Sequence, residues 1–372
     1  MTFGTAKVSM AVVAAVLLTV VTGHAHHAIS AKFDETKAQT LSGVVTLVDW
    51  RNPHVHIFIN VKNAKGVVEN WAAELDSPIE LQQNGWTNES LKPGANVTVR
   101  GIAARNGSRQ VWANSVTMAD GKAVFTMKPL TPPPTTGRPA PRGPDNHPLL
   151  GQTTGSMDGF WAFPSSTVLM EKGANVAMNK DGLLKSVADA SKVAPMQPWA
   201  LGVYRNRQVR FLQDDPGFIN CKPPGGPRQL QLPQGVQFVE DRERQRIFVL
   251  IGGGNNNFRI IYTDGRAQKG SVRGDDDNPL YYGRSVGKWE GDALVVDTTG
   301  FNEDFWFTNG GLPHTDKLRL IERFTRTDAD TLKYEVTVDD VGAYTRPWSS
   351  EWTMRWVSGR DMPRHLCQDN RP

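Results

Sequence analysis

The chain has 372 residues and a formal net charge of +4, from 42 Lys and Arg against 38 Asp and Glu. Charges of both signs are interspersed, so no basic stripe of the kind that nucleic-acid binding needs is present, and no nucleic-acid partner is expected. The length exceeds what one compact domain usually holds and favours two domains, while 35 Gly and 24 Pro indicate many turns.

The N-terminus has the pattern of a secretory signal peptide. Lys7 precedes an apolar run, residues 10–21, that is too short to span a bilayer comfortably. Gly23 and Ala25 supply the small residues of a cleavage site, and cleavage after Ala25 makes His26 the first mature residue. The alternatives are cleavage after Gly23 and a retained membrane anchor. We expect a signal peptide at residues 1–25 and a periplasmic or secreted protein without stable membrane insertion.

Five short strands are predicted in the first domain, with one helix between the third and the fourth. The strand patterns cover residues 39–50, 55–61, 71–75, 97–101 and 110–118. Ser77 at the N-cap, Pro78 in the first turn and Gly85 near the end mark the helix. This order matches an OB-like five-stranded barrel, which we place at residues 26–126.

Proline marks the boundary that follows. Eight prolines occur from Pro129 to Pro148, counting both ends. Such a stretch neither pairs in a sheet nor continues a helix, so it predicts a semi-rigid, extended, Pro-rich linker at residues 127–156. The alternative is a proline-rich recognition ligand.

The remaining residues, 157–372, carry further strand signals. The strongest cover residues 246–251, 258–263, 293–298, 318–324, 332–339 and 351–357. Helices are expected around residues 180–191 and 198–211. Regular short strands with turns between them predict an antiparallel barrel or sandwich, so the whole chain is expected to be mainly β.

Two cysteines, Cys221 and Cys367, are the only ones in the chain. In an oxidising compartment they are expected to pair as a disulfide that ties the chain end back to the domain. The alternative is two separate buried thiols.

Four histidines form the first candidate site: His26, His27, His54 and His56. His54 and His56 alternate with apolar residues, so both project from the strand face opposite the core. With His26 at the mature N-terminus, its α-amine and imidazole add to a nitrogen-rich set that copper(II) prefers and zinc accepts. The alternative is local structure, with His54 bonded to the preceding turn and no role for the terminal pair.

A second candidate site lies in the C-terminal domain. Glu322 alternates with apolar residues and is expected to point inward, where an unpaired carboxylate is costly. Arg259 or Arg266 is the expected partner. His314, just before this strand, and Asp297, at the end of another, complete a set suited to general acid–base chemistry without a cofactor. The alternative is a structural salt-bridge network.

Motifs in both halves resemble those of uncharacterised exported bacterial proteins. The N-terminal half is similar to a domain of unknown function with a His-His pair after the signal peptide and an Asn-Pro-His strand start, here His26-His27 and Asn52-Pro53-His54. The C-terminal half resembles a second uncharacterised family, through Asp264-Gly265-Arg266, Trp289-Glu290-Gly291-Asp292 and Glu322-Arg323-Phe324. Its relatives carry His-Pro soon after the Asp-Gly-Arg turn, where this chain has Ala267-Gln268. Neither resemblance implies an activity.

Three functional interpretations follow. The leading one is a periplasmic binding protein whose OB-like domain binds a metal or a protein partner and whose larger barrel holds a small organic molecule. The second is a cofactor-independent lyase, isomerase or hydrolase that uses His314 with Glu322 or Asp297. The third is a structural envelope protein with a protein-binding OB face. The chain has no G-x-S-x-G elbow, Walker loop or dinucleotide fingerprint.

Overall fold

The computed structural model describes residues 32–51, 54–126, 132–151, 158–162, 168–179, 182–254, 257–268, 280–359 and 361–362. The predicted signal peptide, His26, His27 and Cys367 lie outside these residues, so the pairing of Cys367 with Cys221 stays a prediction. The described chain is mainly β, with a six-stranded sheet in the N-terminal region and a closed nine-stranded barrel in the C-terminal region. The predicted fold class is therefore confirmed.

The N-terminal region folds as the sequence predicts, with one further strand. Its elements are β1 (Phe33–Asp49), β2 (His56–Lys62), β3 (Val68–Glu74), α1 (Pro78–Gln83), β4 (Asn96–Ala104), β5 (Gln110–Met118) and β6 (Ala123–Thr126). The sheet order is β3-β2-β1-β4-β5-β6, and a parallel pairing of β3 with β5 closes the first five strands into a ring. This is the connectivity of an OB-like barrel, with α1 between the third and fourth strands.

The described residues of the C-terminal region form nine strands and two α-helices. They are β7 (Gly159–Ala162), α2 (Pro198–Asp214), α3 (Pro216–Ile219), β8 (Val236–Asp241), β9 (Arg246–Ile251), β10 (Phe258–Tyr262), β11 (Arg284–Glu290), β12 (Ala293–Thr299), β13 (Arg319–Asp328), β14 (Thr331–Asp339) and β15 (Trp348–Ser358). The strands follow one another around the barrel, and β15 pairs with β7 to close it.

One pair of strands in the otherwise antiparallel barrel is parallel, a detail that the sequence pattern does not predict. Ile261 and Tyr262 of β10 pair in parallel with Ser285 and Val286 of β11, whereas the other neighbouring strands are antiparallel. A closed ring with an odd number of strands cannot alternate direction throughout, so at least one parallel pair is unavoidable. The long connection between β10 and β11 allows the chain to return to the same end of the barrel.

The helix expected around residues 180–191 is wrong in type and extent. The described residues there form a 3₁₀ helix at Val187–Lys192, preceded by an isolated bridge between Met178 and Leu184. Gly182 lies between the two bridge residues at a φ of 77°, a left-handed conformation that an α-helix does not contain. The second expected helix is present as α2.

The described part of the proline-rich segment, residues 132–151, runs along the barrel. The Thr136 backbone N–H donates to Asp330 Oδ2 at 2.7 Å, and the Leu150 N–H donates to Glu240 Oε1 at 2.9 Å. Between these points the His147 ring stacks on Trp289, with centroids 4.7 Å apart. These contacts hold the segment against the barrel, which a sequence pattern for an extended spacer does not predict.

Candidate functional site

Two strands bring the predicted strand histidines to a buried acid. His56, the first residue of β2, pairs across the sheet with Glu74, the last residue of β3. Val55 and Ile57 are buried in the core. His54 and His56 therefore project from the opposite face, as the alternation predicts. Glu74 lies on that same face, so the three side chains meet there.

Glu74 contacts three basic side chains. His54 Nδ1 lies 2.5 Å from Oε1, Lys32 Nζ lies 2.6 Å from Oε2, and His56 Nε2 lies 3.5 Å from Oε2. The Glu74 side chain is 7% exposed, against 23% for His54 and 30% for His56. Burial opposes ionisation, but hydrogen bonds from His54, His56 and Lys32 outweigh it and hold the pKa of Glu74 well below its usual range.

The hydrogen-bond partners of the ring nitrogens restrict where each histidine carries its proton. His54 Nδ1 faces the Glu74 carboxylate, which only accepts, so Nδ1 of His54 donates. His56 Nδ1 lies 3.1 Å from the His54 backbone carbonyl, and its Nε2 lies 3.5 Å from Glu74 Oε2. Both partners are acceptors, so a neutral His56 ring donates to only one of them and carries its lone pair on the other nitrogen. A metal-binding histidine commonly donates its other N–H to a carboxylate or a backbone carbonyl, which fixes the orientation of the ring.

The beginning of the described chain lies beside these histidines. Lys32 contacts the shared acid directly, and Phe33 packs in a small buried cluster that includes Trp112. The Trp112 ring in turn meets the His54 ring edge-on, with centroids 5.3 Å apart. His27 precedes Lys32 by five residues, which span at most about 17 Å when extended. Lys32, the first described residue of the chain, thus lies next to the acid that both strand histidines contact.

Within the described ranges, no group of three or more His, Cys, Asp or Glu side chains is arranged to hold a metal ion. These residues supply two imidazoles of the predicted set, His54 and His56. The other two members, His26 and His27, lie outside the described residues.

The second predicted site is a fully buried polar network inside the barrel. Arg259 Nη1 donates to Glu322 Oε1 at 3.0 Å, and a second hydrogen bond joins Arg259 Nη2 to Glu322 Oε2. The Tyr334 hydroxyl donates to Glu322 Oε1 at 2.9 Å. Arg259 also donates to Ser285 Oγ at 2.8 Å and to Thr298 Oγ1 at 2.7 Å. The inward acid thus has its arginine partner, and the polar side chains around it are bonded to one another.

The structure does not bring the other predicted catalytic residues to Glu322. Asp297 lies on the outer face of the barrel between buried neighbours and pairs with Arg319 at 2.7 Å. Arg266 is 49% exposed and pairs with Asp264. His314 is buried elsewhere, with Nε2 3.0 Å from the Phe305 carbonyl. The four residues do not converge on one cavity, so we do not propose joint catalysis by them.

Sequence reasoning missed Glu74 and Lys32. Glu74 lies within the predicted third strand, where the alternation puts it on the face opposite Ala73, whereas Lys32 precedes the first predicted strand. Only the register of β2 against β3 shows that this face is the one that carries His54 and His56. Lys32 carries no local signal, since its role depends on where the chain enters β1.

Residues 14–113 match a family of unknown function, DUF6152. The matched range includes the predicted N-terminal histidines, both strand histidines and Glu74, so the candidate site belongs to a domain of unknown function. A comparison with curated proteins finds no match.

Proposed function

We propose that the chain is an exported protein whose OB-like domain binds one copper or zinc ion. His54 and His56 supply imidazole nitrogens, and His26 and His27 at the mature N-terminus supply the remaining nitrogen ligands. The observation that carries the proposal is the contact of Lys32 with Glu74, because it puts the chain five residues after His27 next to the strand histidines.

The electrostatics of the cluster support a bound cation. Glu74 keeps its charge although it is buried, and its Oε2 lies 2.6 Å from Lys32 Nζ and 3.5 Å from His56 Nε2. A buried carboxylate this close to an imidazole nitrogen attracts a cation that binds there.

The ligand types favour copper(II) or zinc over harder metals. Imidazole nitrogen suits both ions, and a terminal amine with its own imidazole forms a chelate that copper(II) prefers. Glu74 acts as the partner that orients His54, while the His54 carbonyl orients His56.

Export is a part of the proposal because the free amine of His26 requires cleavage after Ala25. Among the described residues, no helix is both long and apolar enough to cross a membrane.

Substitutions at this cluster are expected to weaken metal binding to different extents. His54→Ala and His56→Ala each remove a ligand. Glu74→Gln keeps an acceptor for His54 but removes the charge, and is expected to lower the affinity by about 10- to 100-fold. Isothermal titration of the processed protein with copper(II) and zinc, in competition with a chelator, measures these changes.

His147→Ala is the matched control, because His147 stacks on Trp289 in the barrel and lies far along the chain from the proposed site. It is expected to leave metal affinity unchanged. Retention of wild-type affinity by a correctly folded His54→Ala protein would refute the proposed site.

A further inference from the structure

A groove that is separate from the histidine cluster lies beside the barrel. It has a volume of about 650 Å³ and is lined by side chains of α2, of the segment that follows it and of the loop before β13. Its charged lining residues are Arg207, Asp214, Lys222, Glu303 and Asp304. Nothing in the metal-binding proposal concerns this groove, which lies in the other domain.

Arg207 is the half-buried cation of this groove. Its guanidinium stacks on the Trp306 ring at 4.6 Å, and Nη1 donates to the Gly311 carbonyl at 3.2 Å. Among the described residues, no carboxylate forms an ion pair with Arg207 at a 4.0 Å limit. These contacts hold the guanidinium in place, and within the described ranges the Gly311 carbonyl is the acceptor found for its N–H donors.

The acids that are nearest along the chain are committed to other arginines. Asp214 pairs with Arg210 at 2.6 Å, and the buried Asp215 pairs with Arg228 at 2.7 Å. Burial lowers the pKa of Arg207 to about 10, so the side chain is still a cation at neutral pH. A half-buried arginine without an ion-pair partner favours an anionic ligand, and a planar carboxylate matches its fork of donors.

The charges of both signs in the lining restrict which anionic ligand the groove can bind. Glu303 and Asp304 are exposed acids in the same groove, and Glu303 Oε1 accepts the Asp316 backbone N–H at 3.1 Å. With three acids against two bases in the lining, a multiply charged anion is repelled. A ligand with one carboxylate and one ammonium group is attracted at both ends.

We propose that this groove binds a small zwitterion, an amino acid or a short peptide, with its carboxylate on Arg207 and its ammonium group on Glu303 and Asp304. The Trp306 ring covers one side of the guanidinium, so the carboxylate is expected to bind from another side. Lys222 is an exposed lining residue and adds a second positive charge to the groove.

The test uses the full processed protein and two probes of different length, alanine and alanyl-alanine. Each probe is also tested as its N-acetyl derivative, which lacks the ammonium group, and as its C-terminal amide, which lacks the carboxylate. Chemical-shift or calorimetric titration is expected to show saturable binding of at least one unblocked probe at or below about 1 mM. Blocking either charged end is expected to weaken this binding by about tenfold or more. Equal binding of the N-acetyl derivative, or no binding of any unblocked probe, would overturn the proposal.

Variants assign the two ends of the ligand. Arg207→Gln is expected to weaken binding of the unblocked probe by about 10- to 100-fold. In this variant the C-terminal amide is expected to bind as tightly as the unblocked probe. Glu303→Gln is expected to reduce the loss of affinity that N-acetylation of the probe causes. Arg205→Gln, an exposed position on the same helix that does not line the groove, is the control and keeps the wild-type affinity. An Arg207→Gln protein that binds as the Arg205→Gln protein does would contradict the assignment.

Discussion

Replacement of Glu322 by glutamine is expected to destabilise the C-terminal barrel by about 3–5 kcal/mol. Glu322 is fully buried and Arg259 is 3% exposed. Burial by itself lowers the pKa of Arg259, and the charge of Glu322 more than compensates, so that the arginine stays protonated. Without the carboxylate, the guanidinium keeps its charge in the barrel interior and loses its bidentate partner, which is the costly situation for a buried ion pair.

Asp297→Asn is the matched control for this experiment. Asp297 lies on β12, the strand next to that of Glu322, but its partner Arg319 is on the outer face and half exposed. Loss of an exposed pair costs about 0–1 kcal/mol. Urea unfolding followed by tryptophan fluorescence measures both free energies of unfolding. Equal costs for the two substitutions would show that the interior pair is not a structural determinant of the barrel.

A double replacement distinguishes the effect of the two charges from the effect of the volume that the two side chains fill. Arg259→Met with Glu322→Leu removes both charges and keeps apolar volume, and is expected to recover most of the stability lost in Glu322→Gln. A double variant that is no more stable than the single one would show that the hydrogen bonds of the network, rather than the unpaired charge, dominate its contribution.

The stability of the same domain is expected to fall as the pH decreases from about 6.5 to about 4, because of His314. Burial is the main cause that lowers the pKa of His314 to about 4, against weaker opposing hydrogen bonds in which the Phe305 and Thr315 carbonyls accept. In this pH range the unfolded chain binds a proton that the folded protein excludes. The difference corresponds to roughly 3 kcal/mol, present above pH 6.5 and lost by pH 4.

His314→Gln tests this pH dependence. Glutamine does not titrate and retains an N–H that can donate to the Phe305 carbonyl, as His314 Nε2 does at 3.0 Å. The variant is expected to flatten the stability profile between pH 4 and 6.5 when the free energy of unfolding is measured at steps across this range. His147→Gln is the control and is expected to keep the wild-type slope. An unchanged slope in His314→Gln would exclude this histidine as its source.

The sequence was sufficient to predict the fold because strand alternation is a local property. His54, His56 and Glu322 each point to the face that their apolar neighbours indicate. The strands β6, β7, β8 and β11 were missed. Within β11, Gly287 and three charged residues weaken the pattern, although the strand pairs with β10 and β12 in the barrel.

Partners across the sheet could not be predicted, because they depend on register. The sequence offered Arg259 and Arg266 equally as partners of Glu322, and only the barrel geometry selects Arg259 while Arg266 turns back to Asp264. Glu74 became part of the histidine cluster for the same reason. The conformation of the Arg207 groove depends on packing between α2 and a loop that is about a hundred residues distant along the chain, which no local pattern encodes.

The most direct test of the metal-binding account is the metal content of protein secreted and processed in a periplasm, with the mass of its N-terminus confirmed. We expect one copper or zinc ion per chain when His26 is the first residue, and loss of this ion when a single added residue masks the His26 amine. Processed protein that binds no metal, or masked protein that keeps the same affinity, would contradict the account.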